Sequence, residues 1–145
     1  MKIVLQRVSR AKVSVNNEIK GQIGCGILIF LGVENNDTNE AADFLAAKCS
    51  DLRIFPDQEG KMNKSLKDID GEALVISQFT LPADCSRGRR PSFIKSAPPE
   101  FGEKMYHYFV QSLKSHVKTV ETGVFGADMK VELLNDGPVT FVLEK

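Results

Sequence analysis

The chain has 145 residues, enough for one domain with a sizeable core, and its 42% hydrophobic and 26% charged residues are ordinary values for a globular protein. Nineteen basic residues balance nineteen acidic ones, which excludes an overall positive field that would attract nucleic acid or anionic lipid, so an RNA partner would need a local basic patch. The longest apolar run, ILIFLGV, is too short to span a membrane and no signal-peptide run precedes it, so we expect a cytoplasmic protein without a membrane partner.

The first third of the chain predicts strands. The segments KIVLQRV, AKVSVN and EIKGQIG alternate apolar and polar residues, as strands with one buried face do. The continuous apolar segment GILIFLGV that follows is typical of a buried strand. Asn16 and Asn17, between the second and third segments, predict a tight turn.

Two helices are expected after these strands. Asp37 and, three residues later, Glu40 resemble a capping box, and apolar residues at helical spacing follow them. A second helix should begin after Pro98 and Pro99, because apolar residues then recur every four positions. These residues are Phe101, Met105, Phe109 and Leu113.

The end of the chain predicts two more strands, MKVELL and VTFVLE, on either side of a Gly-Pro pair. With the strands expected in RIF and in GEALVISQFTL, the total is about seven strands and two helices. Neither an internal repeat nor a linker divides the chain. The sequence therefore predicts one α+β domain, residues 1–145, with a curved and mostly antiparallel β-sheet.

Residues 77–81, SQFTL, place polar side chains at the end of an apolar strand. In an extended chain Gln78 and Thr80 share one face, while Ser77 and Phe79 share the other. No G-x-S-x-G motif surrounds Ser77 and neither histidine has an orienting partner, so a Ser-His-Asp triad is not indicated. The segment can supply backbone N–H groups and small hydroxyls to a developing oxyanion, or it can simply be a strand that leaves the core.

A loop at residues 86–93, SRGRRPSF, contains Arg87, Arg89 and Arg90. It is the only basic cluster dense enough to meet a phosphate backbone. In a chain with no net charge the alternative, a solvated loop without a ligand, stays open.

A third motif, TGVFGADM at residues 122–129, sets an aromatic ring and a thioether beside glycines. Glycine lets another molecule approach the backbone closely. Phe125 and Met129 could therefore hold a nucleobase between them, or they could pack in the core.

The three cysteines are odd in number, widely spaced and part of no C-x-x-C or Cys/His cluster. This pattern argues against a disulfide framework and against a zinc site. We expect free thiols, no metal ligands and no cofactor.

The segment NDGPVT, residues 135–140, interrupts the closing strands with Gly137 and Pro138. Proline cannot donate to a strand ladder, so a hairpin turn is the simplest interpretation. An X-Pro bond also permits the cis isomer, which would fix two carbonyl groups on one side as acceptors for an ammonium group.

These segments occur together and in an order that resembles the bacterial and eukaryotic D-aminoacyl-tRNA deacylases over essentially the whole chain. The combination of SQFTL with NDGPVT carries the resemblance, supported by LQRVSRAKVSV, RGRRPSF and TGVFGADM. The resemblance implies a β-barrel-like fold with two helices, working as a homodimer with two sites at the subunit interface. It also implies hydrolysis of the ester that joins a D-amino acid to the terminal adenosine of tRNA, so the partner would be the 3′ acceptor end of tRNA.

The resemblance also assigns roles to residues of this chain. A cis Gly-Pro selector, Gly137 and Pro138, would reach into the pocket of the other subunit, bind the substrate's α-amino group and exclude an L side chain. Arg7 would hold that selector in its orientation. The pocket floor and its oxyanion donors would be Ser77, Gln78, Phe79 and Thr80. The adenosine would lie against Gly123, Phe125 and Met129.

The implied chemistry uses backbone donors and the substrate's ribose 2′-hydroxyl, which suits a chain without a triad. Because a selector that works by steric clash cannot exclude glycine, glycyl-tRNA should enter as well. Two departures from the family pattern stand out: Pro82 follows SQFTL where a small residue is expected, and Phe141–Val142 replaces an aromatic pair. A tRNA-binding module without activity and a purely structural homodimer remain alternatives.

Overall fold

The computed structural model describes all residues from 1 to 145 and shows a mixed β-sheet with two helices packed against it. The strands are β1 (Lys2–Val15), β2 (Glu18–Ile23), β3 (Gly26–Gly32), β4 (Phe55–Pro56), β5 (Met62–Lys64), β6 (Glu72–Ser77), β7 (Val120–Thr122) and β8 (Lys130–Glu144). The helices are α1 (Asn39–Asp51) and α2 (Pro99–Lys114). β4 and β5 form a small sheet of their own, and the other six strands form the main sheet.

β1 organises the main sheet because its length lets it pair with three strands. Its first half pairs with β3, its second half with β2, and β8 runs antiparallel along it on the other side. β6 joins β3 in parallel and β7 joins β6 in parallel, which gives the order β2-β1-β3-β6-β7. The two ends of this order meet where a Cβ on Gly21 of β2 would lie 2.7 Å from the carbonyl oxygen of Thr122. A glycine there lets the sheet nearly close, and the barrel-like fold with two helices is confirmed.

Two predicted pairs of strands are in fact single long strands. KIVLQRV and AKVSVN both belong to β1, and the two strands expected around the Gly-Pro pair both belong to β8. The β1–β8 register shifts at two places between Gln6 and Arg10, so the long ladder bends there and then resumes. Asn16 and Asn17 form the expected tight turn, since both have the positive φ angles, 51° and 65°, that a two-residue hairpin needs.

The predicted capping box at Asp37 is wrong by one residue. Thr38 is the N-cap of α1, and its hydroxyl accepts a hydrogen bond from the Ala41 N–H at 3.3 Å. The Asp37 carboxylate instead accepts hydrogen bonds from the Glu34 N–H (2.7 Å) and from the α-ammonium of Met1. The Asp37 carboxylate therefore makes tertiary contacts and does not cap the helix in the way that the local pattern had predicted.

The core has two parts because both faces of β3 are covered. Ile27, Ile29 and Leu31 point into the larger part, against apolar side chains of α1 and α2. Leu28 points into the smaller part, which fills the barrel with residues of β1, β2 and β6. This double burial explains the continuous apolar run of the segment. Neither helix combines the length and the apolar character needed to cross a lipid bilayer.

A buried tyrosine makes stability depend on alkaline pH. The Tyr106 hydroxyl donates to the Val75 carbonyl at 2.8 Å, and burial raises the pKa of Tyr106 to about 12, with the Thr122 side chain opposing the shift. An exposed tyrosine has a pKa near 10, so this contribution is complete below about pH 10 and is lost as the pH rises towards about 12. We expect the free energy of unfolding to fall by about 2–3 kcal/mol across that window.

Urea unfolding between about pH 9 and pH 11.5 measures this effect, and Tyr106→Phe should remove it at a cost of about 1 kcal/mol at neutral pH. Burial also raises the pKa of Cys49 to about 12. Both chains should therefore be compared in a Cys49→Ala background. An unchanged alkaline decline in the Tyr106→Phe chain would contradict the assignment.

Candidate active site

A cavity of about 470 Å³ opens at the carboxyl end of β6. Its mostly apolar lining comes from the end of β6 and the turn after it, the start of α2, and the segment that leads into β8. The volume is typical of a small-molecule site. Five residues predicted from the sequence line it: Ser77, Gln78, Phe79, Phe125 and Met129. The fold thus brings together two motifs that lie far apart in the sequence.

Within SQFTL, Ser77 ends β6 and residues 79–81 belong to a turn, so the segment is not the extended strand that the sequence pattern assumed. The Gln78 N–H still donates to the Leu31 carbonyl at 2.8 Å, at the end of the β3–β6 pairing. The Leu81 N–H then donates back to the Gln78 carbonyl at 3.2 Å and closes the turn. Pro82, the departure noted in the sequence, is buried directly behind this turn.

The turn presents two backbone N–H groups, those of Phe79 and Thr80, that have no acceptor within the protein. The Gln78 side-chain amide donates to Thr80 Oγ1 at 2.6 Å, and no base lies beside this hydroxyl to activate it. Neither histidine lines the cavity. Unpaired N–H groups on a fixed turn can stabilise a developing oxyanion, so the site can polarise a carbonyl without a side-chain nucleophile.

The Phe79 ring stands at the rim of the cavity and is 63% exposed. The Phe93 ring packs against it with a centroid distance of 5.3 Å, and Ser96 Oγ donates to the Phe79 carbonyl at 2.9 Å. Sequence reasoning did not place Phe93 or Ser96 at the site. The available signal was an aromatic residue next to the arginines of an otherwise polar loop.

Gly123 lies next to Met129, which lines the cavity. Its N–H donates to the Val75 carbonyl at 3.2 Å, and a Cβ at this position would overlap the Met129 sulfur. The glycine therefore lets the Met129 thioether pack against the backbone. The Phe125 ring is held from the other side by Tyr106, with centroids 5.8 Å apart.

The Gly137–Pro138 bond is cis and lies on the surface, where the β1–β8 register shifts. The Arg7 side chain, which is 11% exposed, donates from Nε to the Asp136 carbonyl (3.0 Å) and from Nη1 to the Ile54 carbonyl (2.5 Å). Arg7 thus ties the residue before the Gly-Pro pair to the body of the protein.

Asn135 fixes the other side of the same loop. Its Oδ1 accepts from the Val139 N–H at 2.9 Å, and its Nδ2 donates to Thr140 Oγ1 at 3.0 Å. Gln6 also donates to Thr140 Oγ1, at 3.1 Å. The loop that contains the Gly-Pro pair is therefore held at both ends by side-chain hydrogen bonds.

Within one chain the predicted site residues fall into two groups. The first surrounds the cavity, with Thr80 next to it in the turn. The second is the loop of Arg7, Gly137 and Pro138, and none of these residues lines the cavity. Within one chain this cavity does not join the two groups.

Comparison with known proteins identifies the family. A sequence profile described as D-Tyr-tRNA(Tyr) deacylase matches residues 4–144. The chain belongs to the D-Tyr-tRNA(Tyr) deacylase family. The D-aminoacyl-tRNA deacylase of Pelobacter propionicus is 52% identical over 145 residues and is covered completely, as is this chain. That of Thermotoga petrophila is 54% identical, with 99% of this chain and 97% of the relative covered.

Two solved structures share the fold of this chain. A protein described as c-Myc DNA Unwinding Element Binding Protein matches with a TM-score of 0.95 and 40% identity, covering 100% of this chain and 99% of its own. A probable eukaryotic D-amino acid tRNA deacylase has the same fold, with a TM-score of 0.84 at 17% identity over 98% of this chain and 97% of its own. The resemblance drawn from the sequence is confirmed, and membership of a deacylase family makes the protein an enzyme.

Proposed function

We propose that the protein hydrolyses the ester bond of D-aminoacyl-tRNA and releases a free D-amino acid and tRNA. Membership of the deacylase family over residues 4–144 supports the reaction class. The observation that carries the site assignment is the pair of unpaired N–H groups, of Phe79 and Thr80, at the rim of a nucleoside-sized cavity. Since aminoacylated tRNA is the substrate, the proposed place of action is the cytoplasm and the partner is the 3′ acceptor end of tRNA.

The proposed reaction is a direct attack of water on the ester. The terminal adenine lies between Phe125 and Met129, which places the ester carbonyl beside the turn. Water adds to the carbonyl carbon, and the N–H groups of Phe79 and Thr80 stabilise the oxyanion, each contributing about 3 kcal/mol. The ribose 2′-hydroxyl relays a proton to the 3′-oxygen as the C–O bond breaks. A side-chain nucleophile is not required, in keeping with a Thr80 hydroxyl that only accepts from Gln78.

The proposed chiral selector is the Gly137–Pro138 loop of a second subunit. Its backbone carbonyls bind the substrate's ammonium group and leave no room for an L side chain. The loop's exposure, its absence from the lining of its own chain's cavity and its fixation by Arg7 support this role. Leu133, Leu134 and Val142 of β8 are exposed apolar residues that a homodimer would bury. A glycyl ester has no side chain to exclude, so it is a second substrate in this proposal.

The decisive experiment compares the hydrolysis of D-tyrosyl-tRNA, L-tyrosyl-tRNA and glycyl-tRNA by the purified protein. We expect a preference for the D ester over the L ester of at least about 100-fold in kcat/KM, with the glycyl ester also cleaved. Equal rates for the two tyrosyl esters would refute the selector.

A site variant tests where the adenosine binds. In Gly123→Ala the new methyl group displaces the flexible Met129 side chain into the cavity, so KM should rise about tenfold while the free energy of unfolding changes by less than about 1 kcal/mol. Gly24→Ala is the control, because a Cβ there makes only an ordinary contact of 3.6 Å with the Glu72 carboxylate. If Gly123→Ala and the control have the same KM, the adenosine does not bind in this cavity.

A further inference from the structure

The rim of the cavity carries a local charge that the neutral chain as a whole does not have. The segment 83–97 contains four basic residues and one acidic residue, a net charge of +3, while the 145 residues together have none. The basic residues are Arg87, Arg89, Arg90 and Lys95. This segment therefore places a net positive charge beside the proposed active site.

The cations of this rim are free to bind a ligand. All four side chains are exposed, and none takes part in a hydrogen bond or an ion pair within the protein. The one carboxylate of the segment, Asp84, accepts from the Ser86 N–H at 2.9 Å. Hydrogen bonds from Ser86 hold the pKa of Asp84 below its usual range, with a smaller contribution from the charge of Lys95, so the carboxylate supports the loop and does not pair with the arginines.

The loop is held at a fixed place by its base. Asp84 and Ser92 exchange two backbone hydrogen bonds, at 2.8 and 2.9 Å, which close the arginine-containing part into a narrow loop. Farther along, the Ala97 N–H donates to the Val33 carbonyl at 3.0 Å. Between these anchors Ser96 bonds to the Phe79 carbonyl, so the arginine loop and the SQFTL turn are parts of one rim.

The same rim presents aromatic rings to solvent. Phe79 is 63% exposed and Phe93 is 43% exposed, although the two rings pack against each other. Ile94, next to them, is 85% exposed. Exposed aromatic rings beside free guanidinium groups are the combination that binds single-stranded nucleic acid, with bases stacked on the rings and phosphates on the arginines.

We propose that this rim binds the unpaired RNA strand that leads into the cavity, with a base stacked on the Phe79–Phe93 pair and phosphates contacted by Arg87, Arg89 and Arg90. The inference rests on the proposed function, because it assumes that the terminal adenosine occupies the cavity. In this proposal the strand leaves the cavity across Phe79, which lines its rim. The rim adds affinity for the polynucleotide that the ester and the adenosine alone do not supply.

The test measures binding, so that it does not depend on catalysis. Uncharged tRNA labelled with a fluorophore is titrated by anisotropy at several KCl concentrations, and the slope of log Kd against log salt is recorded. The triple variant Arg87→Ala/Arg89→Ala/Arg90→Ala should lower the magnitude of this slope by about 2, since each lost phosphate contact on a single strand accounts for about 0.7. Replacing the same three arginines by lysine should restore most of the slope, because charge is retained.

A matched control removes the same charge elsewhere. Lys48, Lys104 and Lys114 are exposed residues of the two helices, and their ammonium groups make no ion pair. Their triple alanine variant should keep the wild-type slope. An unchanged slope in the arginine variant, or an equal loss in the lysine control, would overturn the proposal. So would an arginine effect that persists on tRNA lacking its unpaired 3′ nucleotides, because the contacts would then lie on the paired stem.

The stacking part is tested separately. Phe93→Leu should weaken the binding of uncharged tRNA about tenfold, since base–aromatic stacking is lost and the apolar volume is largely kept. Phe44→Leu is the control, because Phe44 is 49% exposed but lies on α1. Equal affinities of the two variants would refute the stack. If the wild-type chain hydrolyses no aminoacyl ester, the proposed function is wrong. The binding measurements then still show whether the rim binds RNA.

Discussion

Replacing Gly137 by alanine is expected to lower kcat/KM for D-tyrosyl-tRNA by about 100-fold while the protein stays folded. Gly137 has a φ of +133°, which L side chains rarely adopt. A Cβ there would lie 2.7 Å from Val139 Cγ2 and 3.0 Å from Arg7 Nη2. The loop must therefore shift against the arginine that holds it. The strain costs about 1–3 kcal/mol, which a folded domain can tolerate but a positioned carbonyl pair cannot.

The control for this change is Gly60→Ala. Gly60 also has a positive φ, +77°, but a Cβ there would meet nothing within 4 Å. Its alanine variant should lose about 1 kcal/mol of stability and retain wild-type activity. A Gly137→Ala chain with activity within twofold of wild type would show that the Gly-Pro loop is only a turn.

Mixing two impaired variants, assayed at substrate concentrations well below KM, tests whether the loop acts in the other subunit. In a dimer of one Gly137→Ala chain and one Gly123→Ala chain, an exchanged loop produces one site without any substitution and one site with both. Random mixing should then recover about a quarter of wild-type activity. If the loop served its own chain, every site would contain one defect, and the activity of the mixture would stay at the mean of the two parent variants.

Replacing Gly26 by alanine is expected to produce the largest loss of stability, about 3–5 kcal/mol in urea unfolding. A Cβ on Gly26 would overlap the carbonyl oxygen of Glu72 and lie 2.7 Å from its carbonyl carbon. β6 cannot retreat, because Glu72 donates to the Cys25 carbonyl at 3.1 Å and Ala73 to the Thr119 carbonyl at 3.0 Å. Because the overlapping atoms belong to the hydrogen-bonded backbone of β6, a change of side-chain rotamer cannot relieve the overlap.

Gly24→Ala is again the matched control, two residues away. Its Cβ makes only a 3.6 Å contact with a side-chain oxygen, so a loss of less than about 1 kcal/mol is expected. Similar urea midpoints for the two variants would contradict the close approach of β3 and β6. Because β6 leads directly into the SQFTL turn, any Gly26→Ala protein that folds should also show reduced activity.

Local patterns predicted the elements well wherever nearby residues decide the structure. The turn at Asn16–Asn17 forms because asparagine tolerates a positive φ, and β3 is buried because every residue in it is apolar or glycine. The four-residue apolar repeat of α2 likewise faces the core. In each case the physical cause lies within a few residues of the effect.

Local patterns failed where a distant group competes for the same atom. The Asp37 carboxylate binds the Met1 α-ammonium and leaves the helix cap to Thr38. The SQFTL segment turns after Gln78, whose N–H donates a hydrogen bond to the Leu31 carbonyl. The strand that contains the Gly-Pro pair stays continuous because β1 pairs with it on both sides of the register shift. None of these partners can be read from the neighbouring sequence.

The sequence by itself determined the family, the two helices, the buried strand and the identity of most candidate site residues, because these depend on residue type and order. Only the tertiary structure decided how those residues are grouped. It joined SQFTL to TGVFGADM around one cavity and left the N–H groups of Phe79 and Thr80 without acceptors. It also set Gly137 and Pro138 apart from the cavity of their own chain. Contacts of this kind depend on how strands curve and where backbones approach, and the sequence encodes them only through the whole fold.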